Sequence, residues 1–206
     1  MSKNINAFYN ELHKLSKDEI LNNAKYIPDL RNDLICKHYI YLLDFTKNIS
    51  KNSIIDLIGL IHMCYGWMPT MYDNSDVSIY EDNLLIKSIW ENINIGSLDN
   101  VFLGNIKKIS NNSIVGGSKL LHFCNPEMYA IYDSRVYSSI LGKETSYNVN
   151  NIENFYSYTN RLRELKKDGS FILELRKNLR NKLNDISVYT DLRCLEICFF
   201  YNKING

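Results

Sequence analysis

Apolar residues recur along this chain at helical spacing. In the stretch "DLRNDLICKHYIYLLDFTKN" (29–48), the apolar positions 30, 34, 35, 39, 42 and 45 fall on one side of a helix. No stretch shows sustained period-two alternation bounded by hairpin turns, so a sheet is not expected. The pattern predicts an all-α fold made of many helices.

The periodicity also predicts where the helices lie. Helices are expected over 5–15, 17–25, 29–48, 52–66, 79–94, 98–109, 150–167, 170–184 and 187–202. Ser16 and Glu19 have the spacing of a capping box, and Pro28 suits the first turn of the third helix. The 206 residues fit one domain, with or without a small second lobe, and "YDNSDVS" (72–78) is the candidate lobe boundary.

Composition narrows the class of protein only slightly. The net charge of +1 argues neither for nor against a nucleic-acid partner. The N-terminal stretch has no apolar signal region and no apolar run reaches the roughly 18 residues of a membrane span, so we expect a cytoplasmic location and no membrane partner. The five cysteines stand in apolar contexts typical of buried free thiols, and they complete no metal-ligand pattern. We therefore expect neither a metal nor another cofactor.

The stretch "NNSIVGGSKLLHF" (111–123) differs from the rest of the chain. A helix that ends near Ser110, an Asn- and Gly-rich turn, and a new helix that starts at Ser118 make a helix–hairpin–helix element within about 98–125. Glycines let a backbone approach another molecule closely, and the first amides of a helix can hold a phosphate oxygen. Gly116, Gly117 and Ser118 are therefore candidate substrate contacts.

The following stretch, "NPEMYAIYDSRVY" (125–137), places Asp133 at the start of another helix. This arrangement brings Lys119 and Asp133 toward one cleft. If they act together, we expect the amine and the carboxylate to lie about 4–8 Å apart, which leaves room for a sugar between them. Two simpler interpretations stay open: Asp is a preferred N-cap residue, and Lys119 could be a solvated helix residue.

The residues "GSK" (117–119), followed by an apolar helix and then "IYDSRV" (131–136), resemble the helix–hairpin–helix DNA glycosylase superfamily, in particular its 8-oxoguanine members. The resemblance covers about residues 98–142. It implies that Gly117 is the last hairpin glycine, Lys119 the nucleophilic amine and Asp133 the essential carboxylate. It also implies double-stranded DNA as partner and a DNA N-glycosylase activity toward damaged or modified bases, with or without AP-lyase activity.

A glycosylase needs a pocket for the base that it flips out of the duplex. Tyr65 and Trp67, in "HMCYGWMPTMY" (62–72), are the candidate stacking residues. His122, three residues after Lys119, and Arg135, two after Asp133, complete the candidate substrate contacts. The alternatives are a core helix end for Tyr65 and Trp67 and a core histidine at 122.

Two other functions stay open. Val115 stands where the resemblance leads us to expect the first hairpin glycine, which favours a catalytically inactive DNA- or partner-binding relative; the presence of both Lys119 and Asp133 favours the enzyme. An unrelated helical scaffold is the third alternative. Arg193 and Glu196 lie three residues apart in an apolar helix, and we interpret them as a structural pair. The sequence gives no indication of the oligomeric state.

Overall fold

The computed structural model describes residues 3–67, 72 and 81–202, with side chains from residue 7 onward. These residues form eleven α-helices and no β-strand, which confirms the all-α prediction. The helices are α1 (Lys3–Lys14), α2 (Lys17–Tyr26), α3 (Leu34–Lys47), α4 (Ile54–Trp67), α5 (Asn83–Ile95), α6 (Asn100–Ile109), α7 (Ile114–Cys124), α8 (Ser134–Leu141), α9 (Ile152–Lys166), α10 (Gly169–Leu179) and α11 (Asp191–Phe200), with a 3-10 turn at Ile186–Val188.

Side-chain caps fix where several helices begin. The capping box of α2 is confirmed: the Ser16 amide donates to the Glu19 carboxylate at 2.7 Å, and the Glu19 amide donates to the Ser16 hydroxyl at 3.2 Å. The prediction that α3 begins near Pro28 is wrong. Asp33 caps this helix by accepting a hydrogen bond from the Cys36 amide at 3.0 Å, so the helix begins only at Leu34.

The helices pack in two groups that share one core. In the first group, α7 packs against α3, α4 and α6; in the second, α11 packs against α2, α8, α9 and α10, and α1 covers α8 and α9. Helix α9 also contacts α6 and α7 and so joins the groups. Buried side chains from both groups form a single connected cluster. The segment between α7 and α8 therefore crosses from one group to the other, and it ends at Asp133.

The candidate lobe boundary at 72–78 falls, apart from Tyr72, outside the described residues. All five cysteines are buried free thiols, as their apolar contexts predicted. Within the part of the chain that the structure describes, none of the helices has both the length and the apolar character needed to cross a membrane.

Candidate functional site

The connection between α6 and α7 is a tight turn built on asparagines. Asn111 and Asn112 both adopt left-handed backbone conformations, with φ angles of 53° and 51°, which asparagine tolerates better than most residues. Ser113 then caps α7 by accepting a hydrogen bond within its first turn, so the helix begins at Ile114. The predicted start at Ser118 is therefore wrong by four residues, because the cap lies before the glycines.

Gly116 and Gly117 accordingly lie inside α7, not in a hairpin over 111–117. A methyl group on Gly116 would collide with the Tyr65 hydroxyl, and one on Gly117 would come within 2.7 Å of the Ile106 side chain. Such distances are shorter than van der Waals contact, so a side chain would force the helices apart. The two glycines let α4 and α6 pack closely against α7.

The amides at the start of α7 already have acceptors in the protein. The Ile114 amide donates to the side chain of Asn150 at 2.8 Å, and the Gly116 amide donates to the Ser113 hydroxyl at 3.1 Å. The Gly117 amide donates to the Ser113 carbonyl at 2.9 Å. None of these three amides is free to hold a phosphate in this conformation.

Ser118 and His122, one turn apart on α7, hold the segment that leads to Asp133. The Ser118 hydroxyl lies 2.9 Å from the Tyr132 carbonyl and accepts from the Tyr132 amide at 3.1 Å. The buried His122 ring donates through Nδ1 to the Tyr129 carbonyl at 2.7 Å, so its Nε2 accepts from the Tyr39 hydroxyl at 3.0 Å. Burial lowers the pKa of His122 to about 3, which makes it a neutral core histidine.

Lys119 is enclosed among these residues. Its side chain is only 6% exposed, so the interpretation of a solvated surface lysine is wrong. The amine donates one long hydrogen bond, of 3.4 Å, to the Val115 carbonyl. Burial lowers the pKa of Lys119, and the charge of Asp133 opposes this effect only in part. A lowered pKa increases the share of neutral, nucleophilic amine near neutral pH.

Asp133 is half-buried at the junction of the connecting segment and α8. One carboxylate oxygen, Oδ1, accepts a hydrogen bond from the Val136 amide at 3.0 Å. This geometry confirms the predicted N-cap. The charge of this carboxylate raises the pKa of Lys119 and so opposes the effect of burial. That the amine and the carboxylate face one cleft, about 4–8 Å apart, stays a prediction.

A second pair of charges lies inside the core. Arg193 and Glu196, on α11, form an ion pair in which both side chains are almost completely buried. The Arg193 guanidinium also lies 4.6 Å from the centre of the Tyr39 ring. The charge of Glu196 acts on Lys119, a relation between α7 and α11 that sequence spacing alone could not reveal. The feature of the sequence that pointed to this buried pair was the presence of two opposite charges in an apolar helix.

The predicted aromatic residues lie next to α7 but differ in exposure. Tyr65 is buried, and its hydroxyl donates to the Ser110 carbonyl at 2.8 Å, which ties α4 to the end of α6. Trp67 is half-buried, with its ring edge-on to Phe123 at 5.3 Å between ring centres. Tyr65 therefore acts in packing, whereas Trp67 retains an exposed portion.

Arg135 is exposed on α8, and its guanidinium lies 4.8 Å from the centre of the Phe200 ring. Together they line an open cleft of about 850 Å³ at the end of α11. The other lining residues are Pro28, Ser134, Ser138, Glu144, Thr145, Ser146, Tyr201 and Asn202. Since Ser134 and Arg135 directly follow Asp133, this cleft begins at the N-terminus of α8.

The basic residues of α9, α10 and the segment after α10 mostly bind the protein itself. Arg163 donates to the Met128 carbonyl at 2.6 Å, and Arg176 pairs with Asp191 at 2.8 Å. Lys182 donates to three carbonyls at the end of α2 and just beyond it, those of residues 24, 25 and 27. These three cations cap and clamp helices within the protein.

The described residues contain no group of three or more His, Cys, Asp or Glu side chains that could hold a metal. Comparison of the chain with protein-family models, with curated proteins and with solved structures gives no match.

Proposed function

We propose that this protein is a DNA N-glycosylase that removes a damaged or modified base, with Lys119 as nucleophile and Asp133 as the assisting carboxylate. The observation that carries the proposal is the burial of the Lys119 amine, whose pKa the charge of Asp133 at the N-terminus of α8 influences. A buried lysine with so few polar contacts is unfavourable for stability alone. A reaction of the amine would account for its burial.

The chemistry follows from the protonation state of the amine. The Lys119 nitrogen bonds to the sugar carbon while the bond from that carbon to the base breaks. The base leaves with the electron pair of that bond. The Asp133 carboxylate stabilises the positive charge on the sugar, accepts the proton that the amine loses and passes it to the departing base. Opening of the sugar ring gives a Schiff base, from which elimination can cleave the strand. Lyase activity would depend on this last step.

Access to the amine requires movement. Lys119 is 6% exposed, so a flipped nucleotide has to displace part of the packing that covers it. Flipping takes the base out of the duplex at a cost of a few kcal/mol, which is smallest for mismatched or damaged bases. Selectivity would then come partly from the ease of flipping and partly from contacts such as those of Trp67.

Double-stranded DNA is the proposed partner, and Arg135 is the proposed phosphate contact nearest to Asp133. It is exposed, its guanidinium lies 4.8 Å from the centre of the Phe200 ring, and a guanidinium suits phosphate oxygens in both shape and charge. Because the glycine amides of α7 are occupied, phosphate binding has to rely on side chains such as this one.

Base release from a panel of duplexes, each with one damaged or modified base, tests the proposal. We expect the wild-type protein to release at least one base and Lys119→Gln to lose about 100-fold or more of that rate, because single catalytic residues contribute at least this much. Lys177→Gln, at an exposed position on α10, is the matched control and should keep the full rate. Equal rates for wild type and Lys119→Gln would refute the assignment of the nucleophile.

An inactive DNA-binding protein is the second candidate, favoured by the occupied amides of Ile114, Gly116 and Gly117. The same panel separates the two functions. Binding of duplex DNA without release of any base would support the inactive protein. Absence of both binding and release would exclude both candidates.

A further inference from the structure

Helix α3 carries a row of large side chains on the side that faces solvent. Leu34 is 66% exposed, Tyr41 74% and Phe45 56%. His38, between Leu34 and Tyr41, is also exposed. Their spacing of four, three and four residues puts these four side chains, the α3 stripe, on one face of the helix. Single exposed apolar residues are ordinary, but a row of them on one face is typical of an interaction surface.

The opposite side of α3 fixes the helix to the rest of the molecule. The side chains of Cys36, Tyr39, Leu43 and Thr46 are buried there. The Tyr39 hydroxyl also donates a hydrogen bond of 3.0 Å to His122, on α7. The α3 stripe therefore lies on an anchored helix and is open to solvent, so a partner could bind it without first ordering the backbone.

The spacing of the α3 stripe is the same in both directions along the helix. A two-fold axis perpendicular to α3, level with the midpoint between residues 39 and 40, therefore sets two copies antiparallel with stripe against stripe. Leu34 then lies opposite Phe45 of the second copy, and His38 lies opposite Tyr41 of the second copy. A two-fold contact of this kind needs only one self-complementary surface on each chain.

Two charges beside the α3 stripe fit this antiparallel arrangement. Lys37 and Asp44 are seven residues apart, so they lie on the same flank of the helix, two turns from each other. Within one chain they make only surface contacts, Lys37 with Asn32 at 3.1 Å and Asp44 with Lys47 at 3.7 Å.

The two-fold axis brings equal flanks together and reverses the direction of the helix. Lys37 of each copy then lies within about 3 Å, measured along the helix axis, of the level of Asp44 in the other copy. A parallel pairing would instead place Lys37 beside Lys37 and Asp44 beside Asp44. Charge complementarity therefore favours the antiparallel pairing.

We propose that the α3 stripe is the contact surface between two copies of this chain, which form an antiparallel α3–α3 homodimer. The stripe and its flanks would bury on the order of 1,000 Å² in total, at the lower end of specific protein interfaces. The dimer is therefore weak, with a dissociation constant on the order of 10–100 μM. This inference concerns assembly and does not depend on the proposed activity.

Sedimentation velocity over a range of protein concentrations tests the contact surface. We expect the wild-type chain to change from monomer to dimer as its concentration rises through roughly 10–100 μM. Tyr41→Glu puts a charge in the middle of the stripe and should weaken association by about tenfold or more. Leu173→Glu, at a position on α10 that is 73% exposed, is the matched control and should associate like wild type.

Three results would overturn the inference. The first is a wild-type chain that stays monomeric at every concentration, which would leave the α3 stripe to a different partner. The second is a Tyr41→Glu variant that associates as strongly as wild type. The third is equal loss of association in Tyr41→Glu and Leu173→Glu. Because both positions are exposed, we expect both variants to fold, and circular dichroism checks this.

An exchange of charges between copies tests the antiparallel direction. Lys37→Asp alone and Asp44→Lys alone each place like charges across the contact, so each variant should associate more weakly than wild type. Mixed in equal amounts, the two variants put opposite charges together in both pairs, and we expect the mixture to regain the dimer. The measurement is made at low ionic strength, because salt screens exposed charge pairs. A mixture that associates no more than the separate variants would overturn the antiparallel dimer.

Discussion

At the scale of single residues, Asp133 serves two purposes that a mutation can separate. Its carboxylate caps α8 through the Val136 amide, and its charge acts on Lys119. Asparagine caps helices about as well as aspartate does, but it carries no charge. The cap and the proposed chemistry therefore respond differently to the same substitution.

We expect Asp133→Asn to change the free energy of unfolding by less than about 0.5 kcal/mol and to abolish base release. Asp99→Asn is the matched control, because Asp99 caps α6 through the amides of Val101 and Phe102. Asp99→Asn should change neither the free energy of unfolding nor the rate of base release. Thermal melts and release assays on both variants check this, and full base release by Asp133→Asn would show that the carboxylate has no chemical role.

His122 makes stability depend on pH. Burial lowers its pKa in the folded protein to about 3 from the usual value of 6.5, so below pH 6.5 the unfolded chain binds a proton that the folded protein does not. The stabilisation is complete above pH 6.5 and is lost as the pH falls toward 3, with a slope of up to about 1.4 kcal/mol per pH unit.

Chemical unfolding between pH 7 and pH 5 measures this dependence. His122→Gln should show a shallower fall in the free energy of unfolding than wild type. His38→Gln, at an exposed position on α3, should keep the wild-type slope. Parallel curves for wild type and His122→Gln would contradict a neutral buried imidazole.

At the scale of the elements, close packing of α7 depends on its two glycines. A methyl group on Gly117 would lie 2.7 Å from the Ile106 side chain, whereas one on Gly104, in α6, would meet nothing within 4 Å. Gly117→Ala should therefore destabilise the protein by about 1–3 kcal/mol despite the better helix propensity of alanine. Gly104→Ala should stabilise it by roughly 0.5–1 kcal/mol.

Denaturant unfolding of the two variants provides the measurement. Equal effects of the two substitutions on the free energy of unfolding would mean that α6 and α7 can separate without loss of stability. That result would remove the structural reason for glycine at position 117 and reopen the interpretation of a glycine selected for contact with DNA.

The sequence predicted most elements because their signals are local. Amphipathic periodicity identified the helices, and the Ser16 and Asp133 caps were recognisable from residue type and spacing. The predicted start of α7 was wrong. Glycines suggest a turn, but in this protein the asparagines at 111 and 112 form it. The contact of Arg193 with Tyr39 was out of reach for another reason: it joins α11 to α3, and the two residues are 154 positions apart in the chain.

At the scale of the whole molecule, the proposed site lies where the two groups of helices meet. Lys119 belongs to α7 of the first group, while Asp133 caps α8 of the second. The segment that Ser118 and His122 attach to α7 connects the groups. Any movement that exposes the amine to a sugar therefore has to preserve this attachment or break buried hydrogen bonds.

The charge distribution also bears on how the molecule could hold DNA. The net charge is +1, and basic residues such as Arg163, Arg176 and Lys182 are bound to the protein itself. Binding through few phosphate contacts depends only weakly on salt. Recognition would then depend mainly on the flipped nucleotide and its surroundings.

The most direct measurement is borohydride trapping on duplexes that contain a damaged base or an abasic site, followed by mass spectrometry of the cross-linked peptide. Borohydride reduces a Schiff base to a stable amine and so records which lysine attacked the sugar. We expect a covalent adduct at Lys119 that disappears in Lys119→Gln and persists in Lys177→Gln. An adduct confined to other lysines, or equal trapping of Lys119→Gln, would contradict a nucleophilic Lys119.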